Sequence, residues 1–354
     1  LLSLVCGGIL IFFGVLLAGP LLNLMGTPQD VLEQATLYMQ IYFAGMPVIM
    51  LYNFGAAILR ASGDTQRPLY YLFAAGIINV ILNLVFVIVF HMGVAGVALA
   101  TVLSQCVSAV LVLRCLMREE AMYRLSLKKL KIHKSRLLLM IRIGLPAGMQ
   151  GAIFSIPNVL IQSSVNSFGS IAMAGNTAAS NIEGFVYTAM NAFHQTALSF
   201  TSQNFGAHKK ERLNKILILC QTLVFLVGFV LGWAAYLFGD KLLLIYSTDP
   251  EVIRLGLTRM QIICLTYFAC GMMDVMVGSL RGMNYAVLPM VVSLAGACGL
   301  RVLWIFTIFQ WYRSLTVLYI SYPVSWLITM LAHLVCFILI RKKMDRGDHV
   351  QTIK

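Results

Sequence analysis

Charge is what this sequence has little of. Asp, Glu, Lys and Arg make up 11% of its 354 residues, and acids are the scarcer half, 13 against 26 Lys and Arg. Metal-ligand spacing and CxxC pairs are missing among the eight cysteines (Cys6, Cys106, Cys115, Cys220, Cys264, Cys270, Cys298 and Cys336). These fall in or beside apolar runs and read as small core residues, neither disulfides nor ligands. No Walker lysine pattern surrounds Gly63-Asp64-Thr65, so this turn is not a phosphate loop. Paired soluble carboxylates and a Ser-His-Asp arrangement are also missing. The chain therefore does not read as an enzyme, and it implies no cofactor.

What is present is apolar. The chain is 60% hydrophobic with a mean hydropathy of +0.86. One soluble core cannot hide that much apolar surface, and repeated apolar runs of about 20 residues mark helices that cross a bilayer. Open sheet edges are excluded there, because hydrocarbon satisfies no backbone polar group. The fold class is an all-α polytopic membrane protein embedded in the lipid bilayer. Ten spans are predicted, at residues 2–18, 31–59, 68–90, 94–116, 145–167, 171–202, 213–238, 252–280, 287–309 and 315–340. Short turns rich in Gly, Pro, Asp and Asn separate them, such as Gly26-Thr27-Pro28 and Gly63-Asp64.

The basic residues are not scattered. Arg114, Arg118, Arg124, Lys128, Lys129, Lys131, Lys134, Arg136 and Arg142 crowd one segment, against only Glu119 and Glu120. Lys209, Lys210, Arg212 and Lys215 share a loop, and Arg341, Lys342, Lys343, Arg346 and Lys354 share the tail. With Arg60, Arg67 and Arg281 these are 21 of the 26, and alternating through ten spans puts them all on one side. The positive-inside pattern makes that side cytoplasmic, so the central linker and the C-terminus face the cytoplasm of a multi-pass protein of the cell (plasma) membrane. The net charge of +13 then reads as a surface toward anionic lipid, not as nucleic-acid binding. No obligatory protein partner is predicted.

The chain also repeats itself. An ungapped offset of 221 residues sets Thr27 on Thr248, Val31 on Val252 and Met39-Gln40-Ile41 on Met260-Gln261-Ile262. It further sets Leu59-Arg60 on Leu280-Arg281 and Pro68 on Pro289. Copies of like orientation are a known transporter plan. The spans at 145–167 and 171–202 have no partner in the first copy. The expectation is two pseudo-symmetric helical bundles, 6+6 in a complete protein and 4+6 spans here. Residues 1–118 are the rest of an N-terminal bundle whose first two helices are missing, and 119–141 are the basic linker. Residues 142–340 are the six-helix C-terminal bundle and 341–354 the tail. Alone, this chain is expected not to transport, because half the wall of the first bundle is absent.

Several motifs resemble one family. Leu59-Arg60-Ala61-Ser62-Gly63-Asp64-Thr65-Gln66-Arg67-Pro68 resembles the turn after the fourth helix of multidrug and toxic compound extrusion (MATE) transporters. Gly93-Val94-Ala95-Gly96-Val97-Ala98-Leu99-Ala100-Thr101 resembles the opening of their sixth helix. Gly144-Leu145-Pro146 resembles the start of the seventh, and Ser279-Leu280-Arg281-Gly282 the end of the tenth. The resemblance covers essentially the whole chain. It implies a secondary antiporter in which inflowing H⁺ or Na⁺ drives export of a small cationic, amphipathic organic compound. It also implies a cation-coupling acid on the tenth helix, and Asp274 stands there. A glutamate that some members carry on the seventh helix is absent, Phe154 and Ser155 standing near its place.

The residues themselves point to two membrane-embedded acids. Asp274 lies within an apolar run, with Thr266 and Cys270 on its face. An ionised Asp at mid-membrane costs about 2.5–3.5 kcal/mol and normally faces protein or water. It is either the cation-coupling site or half of a structural ion pair, and its repeat counterpart, Asn53, cannot titrate. Glu183 is the second acid, set in a stripe of Asn176, Ser180, Tyr187, Asn191 and His194/Gln195 at helical spacing. The preceding helix carries Ser155, Asn158, Gln162 and Asn166. Two such stripes imply a wet, substrate-lining cavity, or else hydrogen-bonded helix glue; the enclosed acid favours the cavity. Arg301 needs a partner, and Asp274 or Glu183 is possible. His194, His333 and the pair Asn79/Asn83 read more readily as hydrogen-bonded packing than as relay or ligand. The competing reading is a flippase for lipid or lipid-linked oligosaccharide of related architecture. It calls for a cavity dominated by cations, whereas the visible stripes are neutral with acids.

Overall fold

A chain with so few polar side chains satisfies its backbone within helices, and a computed structural model finds helices throughout. It describes residues 1–24, 29–119 and 123–345. The Gly26-Thr27-Pro28 turn, Glu120, Arg346 and Lys354 lie outside the described residues. Among the described residues no strand occurs. The chain divides into two units, Leu1–Arg136 and Leu137–Lys354, and the division falls inside the basic segment.

The first unit holds α1 (Leu2–Leu24), α2 (Gln29–Ala44), α3 (Met46–Ala61), α4 (Gln66–Leu84, continued as a π-helical turn, Val85–Val89) and α5 (Gly93–Arg118). The predicted span at 31–59 is broken. α2 and α3 meet at a bend of 48°, because Pro47 has no N–H to continue the ladder across Gly45. The core of this unit is one stripe against another, Tyr52, Ala56 and Leu59 of α3 against Ala109, Val112 and Leu116 of α5.

At the α3–α4 turn Gly63 takes φ +95°, a left-handed conformation that side chains resist. It turns the chain so that Asp64 Oδ1 accepts the N–H groups of Gln66 and Arg67 at 3.1 Å each. Arg67 forms an ion pair with Asp64 and donates to Glu119 Oε2 at 2.8 Å, beyond the end of α5. The Tyr123 hydroxyl donates to the other oxygen of Glu119 at 3.2 Å. One guanidinium thus ties the turn to the far end of the unit.

The second unit runs through α6 (Lys134–Asn166), α7 (Ser170–Gly206), α8 (Glu211–Leu237), the short α9 (Gly239–Leu244) and α10 (Pro250–Gly282). Next come α11 (Val287–Ser293), a π-helical segment (Leu294–Gly299), α12 (Leu300–Phe306), α13 (Ile308–Trp311) and α14 (Leu315–Asp345). α10 is central, packed by α7, α8 and α14. It starts cleanly, with the Asp249 carboxylate accepting the Glu251 N–H at 2.9 Å and Pro250 in the first turn. It ends where Asn284 turns left-handed at φ 68°.

Among the described residues eight helices are long and apolar enough to cross a membrane, nine with the bent α2–α3 pair. The remaining predicted span, at 171–202, folds as α7, 37 residues long. Its polar stripe keeps it outside that group.

Small residues let α7 and α10 approach closely. A Cβ on Gly278 of α10 would lie 2.7 Å from the backbone oxygen of His194, an atom that cannot move aside. Gly278→Val should therefore cost about 1–3 kcal/mol by overpacking, whereas Gly8→Val adds a side chain where nothing is met. Detergent-phase unfolding of the two variants side by side checks this.

The Arg67 cluster gives an acid signature. The hydrogen bond from Arg67 leads in holding the Glu119 carboxyl below the usual range. Burial raises that of Asp64, but the bonds from Arg67 and Gln66 outweigh it, and the net shift is also downward. Depressed carboxyls contribute stability that is complete above their ordinary range and is lost as pH falls through the depressed values. Unfolding scans below about pH 4 should show a steeper acid loss in the wild type than in Arg67→Gln.

Candidate functional site

The second unit holds an open cavity of about 730 Å³. α6 forms one wall, with Gln150, Phe154, Asn158 and Gln162 turned inward. Opposite it α7 presents Asn176, Ser180, Glu183, Tyr187, Asn191, His194 and Gln195 at helical spacing. α10 contributes Arg259, Tyr267, Asp274 and Arg281, while Arg301, Tyr322 and Trp326 come from α12 and α14. Both sequence stripes thus face one space. They also hold each other, since Asn176 Nδ2 donates to Gln162 Oε1 at 2.8 Å. Ser155 and Asn166 of the α6 stripe are not on the wall, although Asn166 accepts from Gln162 at 2.9 Å. Asn53 belongs to the other unit, exposed on α3.

Glu183 is not a free acid. It is 4% exposed and is gripped two-pronged by Arg259, whose Nε donates to Oε1 at 2.9 Å and whose terminal nitrogen donates to Oε2 at 2.7 Å. The other terminal nitrogen of Arg259 donates to Asn176 Oδ1 at 2.8 Å, which also accepts from the Tyr319 hydroxyl at 3.2 Å. The guanidinium lies 5.3 Å from the Tyr319 ring centre. Such fork-to-fork pairing satisfies both charges without water. It corrects the expectation that Glu183 is open to a coupling cation.

Arg301 is corrected as well, because it pairs with neither acid. Its Nε donates to Ser325 Oγ at 2.9 Å, and its guanidinium carbon lies over the Tyr322 ring, 4.3 Å from the ring centre. The residue sequence reasoning missed is Arg259. It stands inside the span drawn at 252–280, and an intramembrane Glu183 in need of a cation was the available signal.

Among the described residues Asp274 has no ion pair of this kind. Partly exposed to the cavity, it interacts with the Tyr187 side chain and lies in the field of His194 and Arg281. The His194 ring is fixed by a 2.7 Å bond from Nδ1 to the backbone oxygen of Asp274. A carbonyl only accepts, so Nδ1 carries the hydrogen. Arg281 donates to Gln150 Oε1 at 2.8 Å, while its Nε meets no acceptor among the described residues. His333 is off the wall, buried and hydrogen-bonded to Ser293 at 3.0 Å.

In the cavity as a whole three arginines face two carboxylates, and one carboxylate is already neutralised. Among the described residues no cluster of three or more His, Cys, Asp or Glu is placed to hold a metal. Removing one half of the buried pair strands the other. Arg259→Gln and Glu183→Gln should each destabilise the unit by about 3–5 kcal/mol. The double change to leucine should lose less than either, as read from unfolding in detergent.

Residues 1–85 and 146–307 match the MatE family. The chain is 27% identical over 336 residues to the probable multidrug resistance protein YoeA of Bacillus subtilis (strain 168), covering 92% of this chain and 72% of that one. It is 28% identical over 288 residues to the probable multidrug resistance protein YpnP of the same organism, covering 81% of this chain. The chain spans 64% of the length of YpnP, less than two thirds. The fold is similar to that of a MOP superfamily transporter from Pyrococcus furiosus, with a TM-score of 0.91 at 18% identity over 97% of this chain and 77% of that one. With a family match over most of its length and a helical, multi-pass architecture of the same kind, this chain belongs to the MatE family of multidrug and toxic compound extrusion transporters.

Proposed function

We propose that the protein exports small amphipathic compounds across the cell membrane in exchange for H⁺ or Na⁺, with Asp274 as the exchange site. The observation that carries this is the contrast between two acids on one cavity: Glu183 is closed by Arg259, and Asp274 opens onto the space. An ionised carboxylate at this depth is costly, and a coupling cation or the cationic group of a substrate relieves the same cost. The two therefore compete, and occupancy by one lowers the affinity for the other, which is the thermodynamic content of exchange. A volume of about 730 Å³ is of the size that holds a small organic molecule. The names of YoeA and YpnP, probable multidrug resistance proteins, support an organic substrate. The basic linker and tail face the cytoplasm in this reading, following the positive-inside pattern.

One observation favours a second reading, a flippase for lipid or lipid-linked oligosaccharide. The sequence stripes read as neutral with acids, but Arg259, Arg281 and Arg301 all line the cavity. That is the cationic wall such a function calls for.

The test uses the full-length protein in reconstituted vesicles, wild type beside Asp274→Asn, under an imposed proton gradient and then a sodium gradient, following a fluorescent organic cation. One gradient should drive export in the wild type, naming the ion, and the substitution should lower the driven rate at least about tenfold, the loss of roughly 1.4 kcal/mol of coupling. A dye that moves under neither gradient, with wild type and variant alike, makes Asp274 structural and the flippase the better reading.

A further inference from the structure

Exchange at Asp274 gives no task to Arg301. This residue is buried, at 4% exposed, on the wall of the same cavity. Its two rings, Tyr322 at 4.3 Å and Trp326 at 5.6 Å from the guanidinium carbon, hold its plane. Among the described residues only its Nε meets a protein acceptor, Ser325 Oγ. No ion pair among the described residues includes Arg301. A guanidinium has five N–H donors in a planar fork, shaped for a carboxylate or phosphate. Stacking on aromatic faces offsets part of the burial cost but uses none of those donors. Beside it, Arg259 shows what this unit does with a guanidinium that is only structural: both prongs are closed on a carboxylate.

Asp274 and Arg301 line the same cavity. Cys270 lies on α10 one turn from Asp274, about 6 Å along the axis, and packs in one cluster with Trp326, a ring beside Arg301. Tyr267, Tyr322 and Trp326 cover the wall around them. A negative pole, a positive pole and an aromatic face therefore share one chamber.

We propose that the cavity selects dipolar aromatic amphipaths. A carboxylate or phosphate of the ligand docks on Arg301, and its cationic group occupies Asp274 in competition with the coupling ion. This deepens the exchange reading above and rests on it for the role of Asp274. It also supplies a division of labour: the coupling ion displaces only the cationic end, while the acidic end decides which compounds enter.

Three fluorescent probes on one skeleton test it, by titration of the purified protein in detergent: Nε-dansyl-lysine, which is dipolar, its methyl ester, which is only cationic, and its Nα-acetyl derivative, which is only anionic. In the wild type the dipolar probe should bind about tenfold or more tighter than either relative, the worth of one charge-assisted hydrogen-bonded contact. Arg301→Gln should erase the advantage over the ester and leave ester binding intact, and Arg301→Lys should restore part of it. Asp274→Asn should erase the advantage over the acetyl derivative.

An ester that binds the wild type as tightly as the dipolar probe overturns the proposal. So does Arg301→Gln weakening both probes equally. If Arg301→Gln does not fold, the wild-type comparison of acid and ester still decides. Phosphatidylethanolamine added to the micelles separates two sources of the same chemistry. Displacement of the dipolar probe assigns the site to a lipid headgroup, and no displacement assigns it to a soluble compound. The gradient assay fails independently: intact driven transport in Asp274→Asn removes the exchange role yet leaves the preference for acid over ester standing.

Discussion

Four helices of the second unit converge on one guanidinium. Arg259 of α10 closes on Glu183 and Asn176 of α7; Asn176 reaches Gln162 of α6 and accepts from Tyr319 of α14. In hydrocarbon each of these groups would be expensive alone, because no water replaces a lost partner. Together they leave neither charge uncompensated. The network fixes the rotation of α7 against α10, and that rotation decides which face of α7 looks into the cavity. Tyr187, Asn191 and His194 come one, two and three turns after Glu183, so the phase that seats the ion pair also sets the wall around Asp274.

This explains how an open polar space survives among apolar helices. α7 and α10 are drawn together by glycines, as Gly175 against the Val252 carbonyl and Gly278 against that of His194 show. α6 joins through side chains, by Gln162 at one level and Gln150 at another. The gap between that wall and the α7–α10 pair is the cavity. Further along, the π-helical segment Leu294–Gly299 precedes Arg301 by two residues. Its extra residue per turn rotates α12 about the helix axis, and Gly296 at its centre leaves room for Thr329 of α14. Arg301 thereby meets Ser325 and the rings of Tyr322 and Trp326, and pairs with neither of the acids that the sequence offered it.

The legible part of the fold was the part set by period and by scarcity. Apolar runs placed the helices, and a helical period placed Asn158 and Gln162 on one wall and Asn176, Tyr187 and Asn191 on the other. A lone acid in hydrocarbon marked Asp274 before any geometry was known. Pairing was not legible. Glu183 and Arg259 are 76 residues apart, and whether their side chains meet depends on the relative phase of two long helices, which neither sequence stretch contains. Arg301 was the more conspicuous cation because it stands alone in its run, whereas Arg259 hid near the start of a span that opens with Arg254. That Pro47 separates two helices within the span drawn at 31–59 depends on how α3 packs against α5.

The internal repeat shows what the charged wall adds. At the 221-residue offset Arg281 falls on Arg60 and Pro289 on Pro68, so the turn chemistry is shared by both copies. Asp274, Arg259 and Arg301 fall instead on Asn53, Tyr38 and Val80, none of which is charged at neutral pH. Helix ends and turns therefore do not require those charges, since the first copy builds them without. What the second copy has in addition is an ion pair, an unpaired carboxylate and a stacked, unpaired guanidinium around a single space. A buried ion pair can be replaced by apolar residues at little cost in stability, so scaffolding alone gives no reason to carry it. The reason lies in the space it surrounds: the pair holds the wall in register, and the charges outside it, Asp274, Arg281 and Arg301, meet what enters.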